Sequence, residues 1–289
     1  MGAIISKEIK SFFNNMLGYV FCAVIIILIG IYFLANNLSY GYPYFAWALR
    51  GATTIMVFTL PLLTMRSFAE ETKNKSDQLL LTAPISVTRI VLGKFIAYAI
   101  IFAIPMIIAC FCPLIIKALG TAAYLKVDYL TILTTYVFGL MIIAIGLFIS
   151  SITESQIISA VISFIVVFLI ALWSAITGMI PDTAVASLIG MIVIIALVCA
   201  IIYAISKSST ITILIGIVAT VVTVVFFFAN STGLQSFFSS IIDALTLTTP
   251  LSNVAYYEIF DLGGLIMYIS IGFCFIVFTV NSIQKRRWS

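Results

Sequence analysis

Residues Arg66 to Lys94 read RSFAEETKNKSDQLLLTAPISVTRIVLGK, and a long hydrophobic run borders them on each side. They carry eight of the chain's 24 Lys, Arg, Asp and Glu residues, so this is the one charged island in an apolar sequence. A water-facing loop of this length between two greasy segments implies a polytopic membrane protein that uses the loop to touch something.

Composition supports that reading. The chain has 63% hydrophobic and 8% charged residues and a mean hydropathy of +1.28. A soluble domain carries about 25% charged residues, so no soluble surface can be built from this material. A helix needs about 20 apolar residues to cross a bilayer. Eight runs qualify: 16–35, 47–65, 95–116, 130–152, 157–180, 185–205, 210–229 and 264–283, of which one of the last three could be re-entrant. They are continuous rather than alternating, which predicts an all-α, polytopic helical membrane protein and excludes a β-barrel. The first run is too long for the apolar part of a signal peptide and no A-x-A site follows, so it reads as a retained span.

Lys and Arg set the orientation. With the N-terminus inside, eleven fall on the cytoplasmic face and only Arg50, Lys117 and Lys126 on the other. The expectation is a multi-pass protein of the cell membrane with both termini cytoplasmic. The net charge of +4 is then a topology signal, and nucleic acid is not an expected partner. Membrane lipid is.

Along the chain, Ile5, Ile9, Phe12, Phe13 and Met16 recur at helical spacing opposite Ser6, Lys7, Glu8, Lys10 and Ser11. Residues 1–15 read as an amphipathic interfacial helix, with a plain extension of the first span as the alternative. Pro105 and Pro113 predict a kink or broken end in the third run. Ala196, Ala200 and Ala204 offer a small-residue ladder for close helix packing. Residues 230–263 form an extracytoplasmic segment in which Phe237, Phe238, Ile241, Ile242 and Leu245 share a face; a lid and an aromatic membrane anchor fit equally. The whole, 1–289, reads as a single transmembrane domain.

Chemistry is conspicuously missing. The chain has no His, which excludes Ser-His-Asp and Cys-His catalysis and His-based metal sites. All five cysteines lie in apolar runs and are expected to be buried structural thiols. The spans hold essentially no ionisable groups, which disfavours an ion-coupled carrier. Gly93-Lys94 is no phosphate-binding loop, since Thr88 stands where the first glycine belongs and Phe95 where Ser or Thr belongs. The chain is therefore expected to be a non-catalytic subunit without cofactor or metal.

Within the island, Phe68 to Thr72 can continue the second span as a helix. Ser76 can cap a short helix with Asp77 in its first turn, and Pro84 ends it near Ala83. Leu79, Leu80 and Leu81 form an apolar knob that needs a partner, or else lies in lipid.

At these residues the chain resembles the membrane subunit of an ABC-2 type transporter, and in particular the gliding-motility-type permeases. The resemblance rests on Arg66, Phe68-Ala69-Glu70-Glu71, Ser76 to Ser86, and Val91-Leu92-Gly93-Lys94-Phe95, with Ile149 to Gln156 and Pro250-Leu251-Ser252-Asn253 through Asp261-Leu262 to Arg286-Arg287-Trp288 in support. It implies a six-span core, with 185–229 as a two-span insertion. It further implies an ATP-binding cassette exporter in which a second copy or related permease and a separate ABC ATPase subunit complete the assembly. Residues 66–93 become the coupling region. Glu70, Glu71, Ser76, Asp77, Gln78, Leu79, Leu80, Leu81 and Pro84 would face the ATPase, with Ser76–Ala83 as the coupling helix. The alternative is a membrane-anchoring or assembly subunit that docks an ATPase without translocating substrate. Spans poor in charge suit apolar or lipid-like cargo, while peptides and polysaccharides stay open.

Overall fold

The computed structural model describes residues 1–74, 86–120, 123–179, 181, 183–206 and 209–288, and every regular element among them is helical. By compactness the chain divides into one unit of Met1–Ala171 with Thr248–Ser289 and a second of Leu172–Leu247.

The first unit opens with α1, Gly2–Asn14, an amphipathic helix. Asn15 is extended, which breaks the helix and lets α2 (Met16–Phe33) leave at a new angle. Gly18 makes that reversal possible, because a Cβ there would stand 2.7 Å from the Phe12 carbonyl oxygen. A π-helical turn, Leu34–Ser39, ends α2, and buried Asn37 donates from Nδ2 to the Tyr42 and Tyr44 carbonyls at 2.8 and 3.0 Å. The chain returns as α3 (Phe45–Met56) and α4 (Leu60–Thr64), joined by a 3-10 turn.

After a turn at Met65–Phe68 comes the short α5, Ala69–Lys73. The expected continuous helix through Phe68–Thr72 is therefore broken. Helix α6 (Val87–Ala109) contains Pro105 and stops at Cys110, where α7 (Phe111–Ala118) begins with Pro113 inside its first turn. The predicted broken end is found.

Helix α8, Leu125–Ile152, is the axis of this unit and packs against α3, α4, α6, α13 and α14. Small side chains allow it. A Cβ on Gly139 would collide with the Phe102 ring of α6, and one on Gly146 with the Thr64 side chain of α4. Thr131 and Thr134, both fully buried, return their hydroxyls to carbonyls one turn back at 2.8 Å, so neither carries an unmet donor into the core. Asp128, fully buried, accepts the Ala46 backbone N–H at 2.8 Å and so caps α3 from a neighbouring helix. The unit is completed by part of α9 (Gln156–Gly178), by α13 (Thr249–Tyr257, with Pro250 in its first turn) and by α14 (Leu262–Trp288). Beside the α2–α3 connection, Tyr44 stacks on Trp47 and Tyr124 at centroid distances of 5.3 and 4.3 Å.

The second unit holds the end of α9 and three helices, α10 (Ala184–Ser206), α11 (Ser209–Ala229) and α12 (Ser231–Leu245). Helices α10 and α11 pack along each other, and a Cβ on Gly216 would lie 3.2 Å from Cys199 Sγ. Asn230 caps α12, accepting from the Gly233 N–H at 2.8 Å. The buried stripe of α12 is Leu234, Phe238 and Ile242; Phe237 and Leu245, expected on the same face, are exposed.

Among the described residues, six helical segments are long and apolar enough to cross a membrane: Met16–Ser39, Phe45–Lys73, Val87–Ala118, Leu125–Ile152, Gln156–Gly178 and Leu262–Lys285. The other two expected runs correspond to α10 and α11, with shorter apolar stretches at Ala184–Ala196 and Gly216–Ala229. Ala196 of the small-residue ladder is exposed, and the side chains of Ala200 and Ala204 lie outside the described residues. The cysteines also depart from expectation. Only Cys22 is buried, Cys110, Cys112 and Cys199 are half-buried, and Cys274 is exposed. In a chain that meets lipid rather than water, an apolar run does not have to be a buried one.

Candidate functional site

The site grows from one residue. Lys94 lies one third of the way along α6, in a helix of apolar character, and its side chain is 1% exposed. A lone buried ammonium would be prohibitively costly, so it must be paired and hydrogen-bonded. Its Nζ meets Glu8 Oε1 of α1 at 3.0 Å and Glu71 Oε2 of α5 at 3.0 Å, and donates to the Ser67 carbonyl at 2.8 Å. The Phe68 ring lies 4.9 Å from the same nitrogen and adds a cation–π contact.

The two carboxylates are shared outward. Glu8 Oε2 accepts from the Tyr98 hydroxyl at 3.3 Å, one turn along α6. Glu71 Oε1 accepts from Lys7 Nζ at 3.0 Å, and Lys7 also stands 3.8 Å from Glu8. Lys7 is the exposed member. Burial pulls its ammonium down, but the hydrogen bond and charge of Glu71 and the charge of Glu8 outweigh it and hold the pKa above the usual lysine value of 10.5.

This geometry follows from local sequence. Glu8 sits on the face of α1 that meets α6, where the lack of a side chain at Gly93 brings Ile4 close; a Cβ there would stand 3.1 Å from Ile4 Cγ2. Glu71 is presented by the break before α5. That break is held by Ser150 near the end of α8, whose Oγ accepts the Phe68 and Ala69 N–H groups at 3.0 and 3.1 Å and donates to the Met65 carbonyl at 3.4 Å. One hydroxyl thus satisfies backbone groups that a broken helix would otherwise leave bare. Beside the cluster is a cleft of about 150 Å³, lined among others by Ser11, Asn15, Arg66 and Glu70.

Two expectations change here. Glu8 is buried at the centre of the ion pairs, not on a solvated polar face. The apolar spans are also not empty of charge, since Lys94 and Asp128 are buried within them. Lys94 is neutralised by carboxylates, whereas Asp128 receives a backbone N–H on Oδ1 and has no ion-pair partner among the described residues. Among the expected interface residues, Glu71 faces the lysines and Glu70 lines the cleft. Ser76, Asp77, Gln78, Leu79, Leu80, Leu81 and Pro84, and with them the coupling helix at Ser76–Ala83, lie outside the described residues. Sequence reasoning missed the Lys94–Glu8 pairing, and the only signal for it was a lysine lodged in an apolar helix. Among the described residues no group of His, Cys, Asp and Glu could hold a metal ion.

Residues 41–229 match the family described as ABC-2 family transporter protein. The chain belongs to the ABC-2 transporter family. The matched range covers residues 66–93, Ser150 and Lys94, and it runs through both α10 and α11. As an ABC-2 protein the chain is a multi-pass permease component of an ABC transporter, and permeases of this family generally work with an ATPase subunit. No curated protein matches the ABC-2 permease in sequence.

Proposed function

We propose that this permease is the membrane half of an exporter in the cell membrane, with both termini cytoplasmic. It is driven by a separate ATPase that docks on the segment between α5 and α6. Two permease subunits, identical or related, pair with two ATPases. The Leu79-Leu80-Leu81 knob enters the ATPase, with Glu70 and the polar residues Ser76, Asp77 and Gln78 around it, and Pro84 ends the docking helix.

The observation that carries the reading is the anchoring of the segment's root. Helix α5 is tied to α1 and α6 through the Lys94 ion pairs and to α8 through Ser150. A push on the docking segment therefore reaches three other helices at once, and Glu71 works from behind the interface as a positioning residue. ATP binding in the partner would draw the docking segments of the two permeases together and rearrange the bundle.

The test is affinity purification from native membranes with Leu79→Asp and Leu80→Asp variants. Loss of the ATPase from the purified complex, with the permease still inserted and folded, is the expected result. Full recovery of ATPase with both variants, or no ATPase recovered with the parent protein under mild conditions, would sink the proposal.

A further inference from the structure

The second unit contains a cavity of about 210 Å³ where α9 ends, α10 begins and α12 crosses. Its polar lining is Ser174, Thr177, Ser187, Ser239 and Asp243, with Phe238 among the apolar residues. The walls are fixed by packing. Phe238 fills the place of a Cβ at Gly190 of α10, and the Trp173 indole N–H donates to the Ile242 carbonyl at 3.5 Å.

The hydrogen-bonding capacity of this lining is lopsided. Thr177 and Ser187 spend their hydroxyl protons on the Ser174 and Thr183 carbonyls at 3.0 and 3.2 Å, so only their lone pairs remain to offer, while the Ser174 and Ser239 hydroxyls can donate or accept. Asp243 is an acceptor only, and among the described residues it has no ion-pair partner. In sequence, 172–247 hold just three charged residues, Asp182, Lys207 and Asp243. The only cation of the three is Lys207. Asp243 also lies in the last turn of α12, where the negative end of the helix dipole disfavours a carboxylate. Among the described residues the aspartate thus stabilises no ion pair, and its charge does not favour its own helix. An acceptor-rich, negatively charged cavity calls for a ligand with several N–H donors and positive charge.

We propose that this cavity binds a primary ammonium group, with Asp243 as its counter-ion and Thr177 and Ser187 as further acceptors. Phe238 packs against the carbon next to the nitrogen. The group can arrive on a lipid headgroup or on a free amine.

The full chain in nanodiscs of choline-headed phospholipid provides the test. It is titrated with ethanolamine-headed phospholipid of the same acyl chains and, separately, with free ethanolamine, following the melting temperature. A rise is expected with a primary ammonium and not with further choline-headed lipid, which has no N–H to donate. A rise with lipid alone assigns the headgroup, and a rise with free ethanolamine assigns a soluble amine; either supports the site. Asp243→Asn should raise the half-saturating concentration about tenfold or more, the loss expected of a charge-assisted hydrogen bond. Because Asp243 is exposed, this variant should melt with the parent protein in plain choline discs. Ser187→Ala provides a second reading, with a smaller loss. No shift with either amine, or a shift that survives Asp243→Asn unchanged, overturns the proposal.

Discussion

Lys94 is the residue on which the charged junction depends. With its ammonium removed, Glu8 and Glu71 lose their buried counter-ion and keep only the exposed Lys7 as a cationic partner. Breaking a buried pair by deleting one partner costs about 3–5 kcal/mol. Lys94→Met is expected to destabilise by that order, read as a lower melting temperature in detergent. Adding Glu8→Gln should then recover part of the loss, because the two changes share one interaction and cannot be additive. Additive losses would mean that the pair contributes only packing. Lys7 behaves differently. Its raised pKa means that its contribution is complete below 10.5 and fades only as the pH climbs through the still higher folded value. No change in stability between pH 6 and 9 should trace to it.

At the scale of elements, α5 exists because a neighbour completes its hydrogen bonding. Ser150→Ala removes the acceptor of the Phe68 and Ala69 amides, at a cost of about 1–3 kcal/mol for buried donors left unmet. Both amides should exchange hydrogen faster while those of α8 keep their protection, and unchanged exchange at Phe68 would disprove the role given to the hydroxyl. The same scale shows what the sequence could reveal. The long apolar runs announced themselves because the bilayer fixes their length, and Pro105 with Pro113 announced the break at Cys110. The break at Met65–Phe68 could not be read from its own residues, since its cause is a serine 82 positions away from Phe68. Glu8 was misplaced for a related reason: helical periodicity sorts residues by polarity, and a polar residue buried by an ion pair violates that sorting. The charged island contains Glu71 and Lys94 of the ion-paired junction, while the other partners that hold it lay on α1 and α8. On α12 the apolar set was correct but too wide, because Phe237 and Leu245 face outward.

For the molecule as a whole, the orientation proposed from Lys and Arg has a direct test. A fluorescent protein fused after Trp288 should fluoresce, whereas one inserted after Gly120, between α7 and α8, should stay dark if exported unfolded. The opposite pattern would invert the topology and move the proposed docking segment to the wrong side for an ATPase. The family match extends through α11, so the hairpin of α10 and α11 lies within the range that defines the family relationship. The ammonium cavity lies in the same compact unit as that hairpin, and a result at Asp243 bears on it without touching the ATPase question.

The Lys94 contacts also carry a consequence in time. On the proposed topology, Lys94 is one of the positive charges that orient the chain, yet in the folded protein two carboxylates neutralise it. Glu8 is synthesised first, Glu71 second and Lys94 last, so the pairing can close only after the start of α6 has emerged and α1 and α5 are in place. The same ammonium serves first as a signal to the insertion machinery and later as the rivet that closes the finished bundle. A nascent chain whose α1 fails to dock would keep that charge unpaired, and so present a mark by which an incomplete permease differs from a complete one.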